Sequence, residues 1–232
     1  MLTSVRQAIH PQQTGYCIVR NKVLDAAGFM DLLNGTVGDS FTVSTHRSGQ
    51  VAYDIVKDAG DYQQRKEGSI ISASNVSFPL HTDCSFLERP ADIVVLYCIE
   101  NAVTGGESLL ANVNQIIPLL PEDYISFLLT KKFYINSRGY PILEQSGDQY
   151  VIRFNLGEFL SGTSSEDNAI IAADLQPLTA ILGDAAIYTT VKLAPDECLV
   201  VNNRTCLHGR HAFEDNSNRI FYRARHYWTA MQ

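Results

Sequence analysis

Long apolar runs are missing from this 232-residue chain, and the strongest, Ile93 to Ile99, is far too short to cross a bilayer as a helix. The first twenty residues, MLTSVRQAIHPQQTGYCIVR, hold no continuous apolar segment of the kind a secretory signal needs, so a cytoplasmic protein is expected. A basic excess is missing too. Against 25 Asp and Glu stand 18 Lys and Arg, a net charge of −7, which argues against a nucleic-acid partner. It does not argue against a small anion, because a few buried arginines can hold one inside an acidic protein. The 5 cysteines (Cys17, Cys84, Cys98, Cys198, Cys206) are odd in number and fall in or beside strand-like runs, so free thiols are expected rather than a disulfide framework. No internal repeat, low-complexity tract or Pro/Gly/Ser linker divides the chain, and its length suits one domain over residues 1–232.

What is present is ordinary for a globular protein, with 45% hydrophobic and 19% charged residues. The pattern predicts strands at GYCIVR, Ile93 to Ile99, QYVIRFN, Ile187 to Leu193, Glu197 to Asn202 and Arg219 to Trp228. It predicts helices over Leu24 to Leu33, Asn114 to Leu120, a segment opening at Pro121, and Glu166 to Asp184 with Pro177 inside it. Short strands with helices between them suit a β-barrel or jelly roll decorated by helices. Residues 133 to 165, rich in glycine and polar turns, are candidates for a lid.

The chemistry concentrates in two places. In Phe78-Pro79-Leu80-His81-Thr82-Asp83, a strand would place His81 and Asp83 on one side, about 6–7 Å apart, where both can reach one divalent metal. Alone, such a tripeptide is more often a surface strand. The segment NNRTCLHGRHAFEDNSNRIFYRAR adds His208, and two histidines with one carboxylate make the facial triad of non-haem iron(II) oxygenases. A nearby polar role suits His211, whereas His10, His46 and His226 have no partners at ligand spacing. On the last strand, Arg219, Phe221, Arg223, Arg225 and Tyr227 share one face, with Ile220, Tyr222, Ala224 and Trp228 largely on the other. That arginine face either meets solvent or lines a cavity for anions, which the planar guanidinium fork grips through paired hydrogen bonds.

Taken in order, His81-Thr82-Asp83, Thr104-Gly105-Gly106-Glu107-Ser108, Asn203-Arg204, Leu207-His208-Gly209-Arg210, and then Arg219 and Arg223 resemble the TauD/TfdA-like group of Fe(II)/2-oxoglutarate-dependent oxygenases. The clavaminate synthase-like and γ-butyrobetaine hydroxylase-like members are similar. The resemblance is specific over residues 78–108 and 202–223 and elsewhere is mainly order and spacing. It implies a mainly β fold with inserted helices, a double-stranded β-helix (jelly roll) with the metal inside one end. By position, His81, Asp83 and His208 would ligate iron, and Arg219 with Ser108 would hold the distal carboxylate of 2-oxoglutarate. Arg223 would meet an acidic group of the substrate, with Arg225 also available, and Arg153 and Asn155 would reach the substrate pocket or serve as a structural pair. Asn203 and Arg204 match a pair expected to be structural.

The cofactors so implied are Fe(II), 2-oxoglutarate and O₂, and the reaction is oxidation of a C–H bond in a small, acid-bearing molecule. Retention of Asp83, which halogenating relatives replace with a small residue, points to hydroxylation, with desaturation and ring closure left open. Two other readings share the triad: a jelly-roll binder of metal or 2-oxoglutarate without turnover, and a zinc hydrolase. A pure binder would not need a keto-acid anchor, an open triad and a further substrate-side arginine together, and a hydrolase does not account for Arg219 with Ser108.

Overall fold

The segments SLLAN and CLHGR are buried at every residue, a pattern that requires a sheet covered on both faces. The computed structural model, which describes residues 13–20, 41–43, 54–57, 71, 74–161 and 163–228, supplies both covers. The helix expected over Leu24 to Leu33, and His10 and His46, lie outside the described residues.

The strands of the core are β1 (Tyr16–Arg20), β2 (Phe41–Val43), β3 (Asp54–Lys57), β4 (Phe78–His81), β5 (Ile93–Glu100) and β6 (Ser108–Asn112). Two hairpins follow, β7 (Phe133–Ile135) with β8 (Arg138–Tyr140), and β9 (Leu143–Ser146) with β10 (Gln149–Ile152). The chain then returns to the core with β11 (Thr189–Val191), β12 (Glu197–Asn202), β13 (Cys206–Arg210) and β14 (Ile220–Trp228). One antiparallel sheet runs β1-β12-β5-β14, with β3 and β2 sharing the far edge of β14; the other runs β11-β6-β13-β4. This is the expected double-stranded β-helix.

Side-chain alternation sorts the second sheet between its two covers. Leu80, Leu109, Ala111 and Leu207 face a large apolar cluster, while Leu110 and Cys206 face the first sheet and pack with Cys98, Leu199, Val201 and Phe221. The large cluster also takes in α1 (Val113–Ile116), α2 (Glu122–Thr130), α3 (Leu156–Leu160) and α4 (Ser165–Leu182). No helix among the described residues is long and apolar enough to cross a membrane.

Local chemistry adjusts several boundaries. The helix expected over Asn114 to Leu120 splits into α1 and a 3-10 turn, Ile117–Leu119, because Pro118 has no N–H to continue the ladder. Pro121 stands just outside α2 as its cap. Pro177 remains inside α4, and the strand expected over Ile187 to Leu193 contracts to β11. Residues 133–161 include the two hairpins and α3, and Phe133, Ile135, Ile142, Leu143, Phe154 and Phe159 are all buried in the large cluster.

Candidate metal centre and active site

His81 ends β4, His208 lies in β13, and the two are direct partners in the antiparallel register. Their neighbours Leu80 and Leu207 turn towards the helices, so alternation sends both histidines between the sheets. Their ring centroids are 4.5 Å apart and both rings are buried. Gly209 permits this approach, since a Cβ there would stand 2.8 Å from the Phe78 carbonyl oxygen and 3.1 Å from the Leu80 nitrogen.

Asp83 is not on the strand, as expected, but in the turn after it. Its backbone is held by the buried Asn203 side chain. The Asn203 Oδ1 accepts from the Asp83 N–H at 2.7 Å, and its Nδ2 donates to the carbonyls of Asp83 at 3.0 Å and Ala91 at 2.8 Å. Asn203 is therefore structural in a specific sense: it places a carboxylate. Asn203→Ala is expected to lower stability by about 1–3 kcal/mol through unpaired buried groups. It should also weaken metal binding by roughly 10- to 100-fold. Thermal unfolding and metal titration check this; an unchanged metal affinity would show that Asp83 needs no such support.

The donor atoms converge. Asp83 Oδ1 lies 3.4 Å from His81 Nε2 and 3.6 Å from His208 Nε2, and one ligand atom from each residue falls within 4.8 Å of the others. His81 Nδ1 donates to the Pro79 carbonyl at 2.8 Å, which leaves the lone pair on Nε2. That Nε2 is buried and has no hydrogen-bond partner, the condition of a nitrogen that fits a metal. Burial, reinforced by the neighbouring His81, pushes His208 down to about 4, so its ring is neutral at pH 7. Burial opposes ionisation of Asp83, yet Arg223, the two histidines and Arg225 together hold its carboxyl well below the usual range. Two imidazoles and one carboxylate on one side suit Fe(II) and leave three coordination positions open.

Beside these atoms is a pocket of about 440 Å³, open mouth included, whose lining includes His81, His208, Ser108, Arg219, Phe221 and Arg223. The arginine face of β14 thus borders a cavity, not solvent; Tyr222 and Ala224 face the opposite side of the sheet, and the Trp228 side chain lies outside the described residues. Arg219 is 4% exposed, its guanidinium carbon 4.0 Å from the Phe221 ring centre, and no carboxylate among the described residues pairs with it. Burial, then Arg210, pushes it down to about 9, which still leaves it charged at neutral pH. A buried cation without a counter-ion is costly, so the pocket is built for an anion. Gly105 and Gly106 both have positive φ in the turn leading to Ser108, and a Cβ on Gly106 would come within 3.5 Å of Arg219 Nε.

The other expected site residues divide. Arg223 borders the pocket and its Nε has no partner. Arg225 donates from Nε to Asp83 Oδ2 at 2.8 Å and from Nη1 to Asp54 Oδ2 at 2.6 Å. Arg153 and Asn155, read as reaching the substrate pocket or as a structural pair, make structural contacts. Arg153 donates to the carbonyls of Ser85, Leu87 and Glu88, tying β10's exit to the turn that carries Asp83, and stacks on Tyr140. Asn155 Oδ1 caps α3 by accepting from the Glu158 N–H at 3.3 Å. His211 takes a polar role, its Nδ1 3.7 Å from Glu107.

Sequence reasoning missed Asp54 and Glu158. Burial, then the charge of Asp83, pushes the Glu158 carboxyl up to about 7, and its Oε2 is buried without a partner. The folded protein therefore keeps this proton to higher pH than the unfolded chain, and stability falls as pH rises from the ordinary glutamate range through about 7. In the metal-free protein, Glu158→Gln should raise the unfolding temperature relative to wild type at pH 8, with the difference gone at pH 4. A variant less stable than wild type at pH 8 would contradict this.

A jelly roll that gathers two histidines and one carboxylate beside a pocket with an unpaired buried arginine defines a mononuclear metal protein of the facial-triad kind. Residues 2–225 match the family described as "Taurine catabolism dioxygenase TauD, TfdA family", and the chain belongs to that family. It is 26% identical over 187 residues to L-asparagine oxygenase of Streptomyces coelicolor, covering 76% of this chain and 53% of that protein. To rat mitochondrial trimethyllysine dioxygenase it is 28% identical over 162 residues, covering 57% and 36%. The chain thus spans about a third to a half of the length of these curated relatives. Among solved structures, asparagine oxygenase in complex with Fe(II), 2S,3S-3-hydroxyasparagine and succinate superposes with a TM-score of 0.73 at 19% identity, covering 98% of this chain and 78% of that one. The non-heme iron oxygenase OrfP in complex with Fe and alpha-ketoglutaric acid gives 0.70 at 14% identity, covering 97% and 78%.

Proposed function

We propose that the chain is an Fe(II)- and 2-oxoglutarate-dependent dioxygenase that hydroxylates a C–H bond of a small, carboxylate-bearing molecule of the amino-acid class. The observation that carries this reading is the unpaired, buried Arg219 in the same pocket as the histidine nitrogens of the triad. Held by His81, Asp83 and His208, ferrous iron would supply the activation of O₂ coupled to decarboxylation of 2-oxoglutarate, with succinate and CO₂ as co-products.

The protein's own part is placement, charge and exclusion of water. Arg219, with Ser108 beside it in the pocket lining, receives the distal carboxylate of the keto acid. Val56, Phe78, Leu96 and Phe221 make the apolar wall that keeps water from the reacting region, and Phe78 stacks on the His81 ring with centroids 3.7 Å apart. Arg223, at the edge of the pocket nearest Asp83, meets the carboxylate of the primary substrate. Relatives whose names specify asparagine and trimethyllysine favour an amino acid as that substrate. The test is succinate release from 2-oxoglutarate, screened over amino acids with Fe(II). Stimulation by one of them, with a hydroxylated product, is expected; metal-dependent hydrolysis without succinate would assign the site to a hydrolase.

A further inference from the structure

Asp83 has two carboxylate oxygens, and the structure gives them different surroundings. Oδ1 faces the two histidines, at 3.4 and 3.6 Å from their Nε2 atoms. Oδ2 faces away from them into two guanidinium groups: Arg225 Nε donates to it at 2.8 Å, and Arg223 Nη1 lies at 3.5 Å. On the far side of both arginines stands Asp54, whose Oδ2 accepts from Arg225 Nη1 at 2.6 Å and from Arg223 Nη2 at 3.2 Å. Two carboxylates and two guanidiniums thus alternate in a closed ring of balanced charge.

Strand pairing builds this ring. Asp54 of β3 is the register partner of Arg223 on β14, and Arg225, two residues on, is its diagonal neighbour on the same face. Asp83 enters from the turn after β4, fixed by Asn203. The two arginines are not equivalent in it. Arg225 makes short bonds to both carboxylates, whereas Arg223 makes longer ones, keeps an unpartnered Nε and borders the pocket.

We propose that Arg225 is a positioning residue that selects the oxygen through which Asp83 binds metal. It occupies Oδ2, leaves Oδ1 as the single metal donor, and is itself held by Asp54. The inference rests on the proposed iron and 2-oxoglutarate chemistry and deepens it. A carboxylate bound through one oxygen leaves three positions free on a six-coordinate ion, two for a bidentate keto acid and one for O₂; bound through both, it leaves two, which the keto acid would fill, with none left for O₂. Arg225 keeps the third position open, and Arg223 stays available for the substrate.

The test uses the full chain under anaerobic conditions. It compares wild type with Arg225→Gln, Arg225→Lys and Asp54→Asn. One readout is affinity for Mn(II) alone; the other is the rate at which the visible charge-transfer absorption of the Fe(II)-chelated keto acid decays when the anaerobic complex is mixed with O₂. If the proposal holds, Arg225→Gln keeps Mn(II) affinity within about threefold while the O₂-dependent decay slows roughly tenfold or more, in the range of losses seen when outer partners of metal ligands are removed. Arg225→Lys should recover part of that loss. Asp54→Asn, at a half-exposed residue, should slow the decay by less. An Arg225→Gln protein whose absorption forms and decays at the wild-type rate overturns the proposal. So does one that loses Mn(II) and 2-oxoglutarate together, which would make Arg225 a support of the whole site. A wild-type protein that binds Mn(II) but shows no absorption with Fe(II) and 2-oxoglutarate would instead remove the underlying reading, and the inference with it.

Discussion

Asp83→Gly, His81→Ala and His208→Ala are each expected to bring succinate formation below detection. Each removes one of three donor atoms that lie within 4.8 Å of one another, which changes the number and charge of the ligands the ion would have. The variants should differ in stability. Either histidine substitution removes a buried ring, at the cost of a cavity, and the protein should still fold. Asp83→Gly also takes a buried carboxylate from between Arg223 and Arg225, leaving both cations to Asp54 alone, so its unfolding temperature should fall furthest. Iron retained after gel filtration, succinate release and thermal unfolding together check these expectations. Full activity in Asp83→Gly would remove that residue from the ligand set.

Arg219→Met should separate binding from stability in opposite directions. In the ligand-free protein Arg219 is a buried cation with no carboxylate partner among the described residues, so an apolar chain of similar length should leave stability unchanged or raise it. With 2-oxoglutarate present the balance reverses, because the distal carboxylate loses its charged partner. Truncating one side of a buried charge pair costs about 2–5 kcal/mol, which corresponds to a rise in KM for 2-oxoglutarate of roughly 30-fold to several thousandfold. The turnover rate at saturating 2-oxoglutarate should fall much less, and the unfolding temperature should no longer rise when 2-oxoglutarate is added. A variant that lost stability while keeping its KM would show that Arg219 holds the sheets together and does not bind the keto acid.

Much of the metal site was legible because its residues carry their chemistry in short motifs. His81, Asp83 and His208 could be nominated from type and order, and the unbroken apolar run Ile93 to Ile99 announced the buried strand β5. The reason those three residues meet was less legible. Alternation along one strand was the expected cause for His81 and Asp83, whereas the structure ends β4 at His81 and positions Asp83 through Asn203, far along the chain. The arginine face of β14 had two readings, of which period-two patterning alone favours the solvated face over one that borders a cavity; burial of Arg219 and Phe221 decides for the cavity. Asp54 and Glu158 gave no signal because their importance comes from what the fold brings beside them. One meets Arg225 across a strand pair, and the other is buried near Asp83 on a short helix. Arg153 had two readings, substrate contact or structural pair, and its Nη1 and Nη2 donate to backbone carbonyls of the turn that carries Asp83.

The most direct test of the central claim is an anaerobic titration of metal-stripped protein with Fe(II) and then with 2-oxoglutarate, watched in the visible region. A weak charge-transfer band that appears with the keto acid, saturates at one equivalent per chain, and is lost in His81→Ala and His208→Ala is the predicted result. Tight iron binding with no band on adding 2-oxoglutarate would contradict it and make the triad a metal site of another kind.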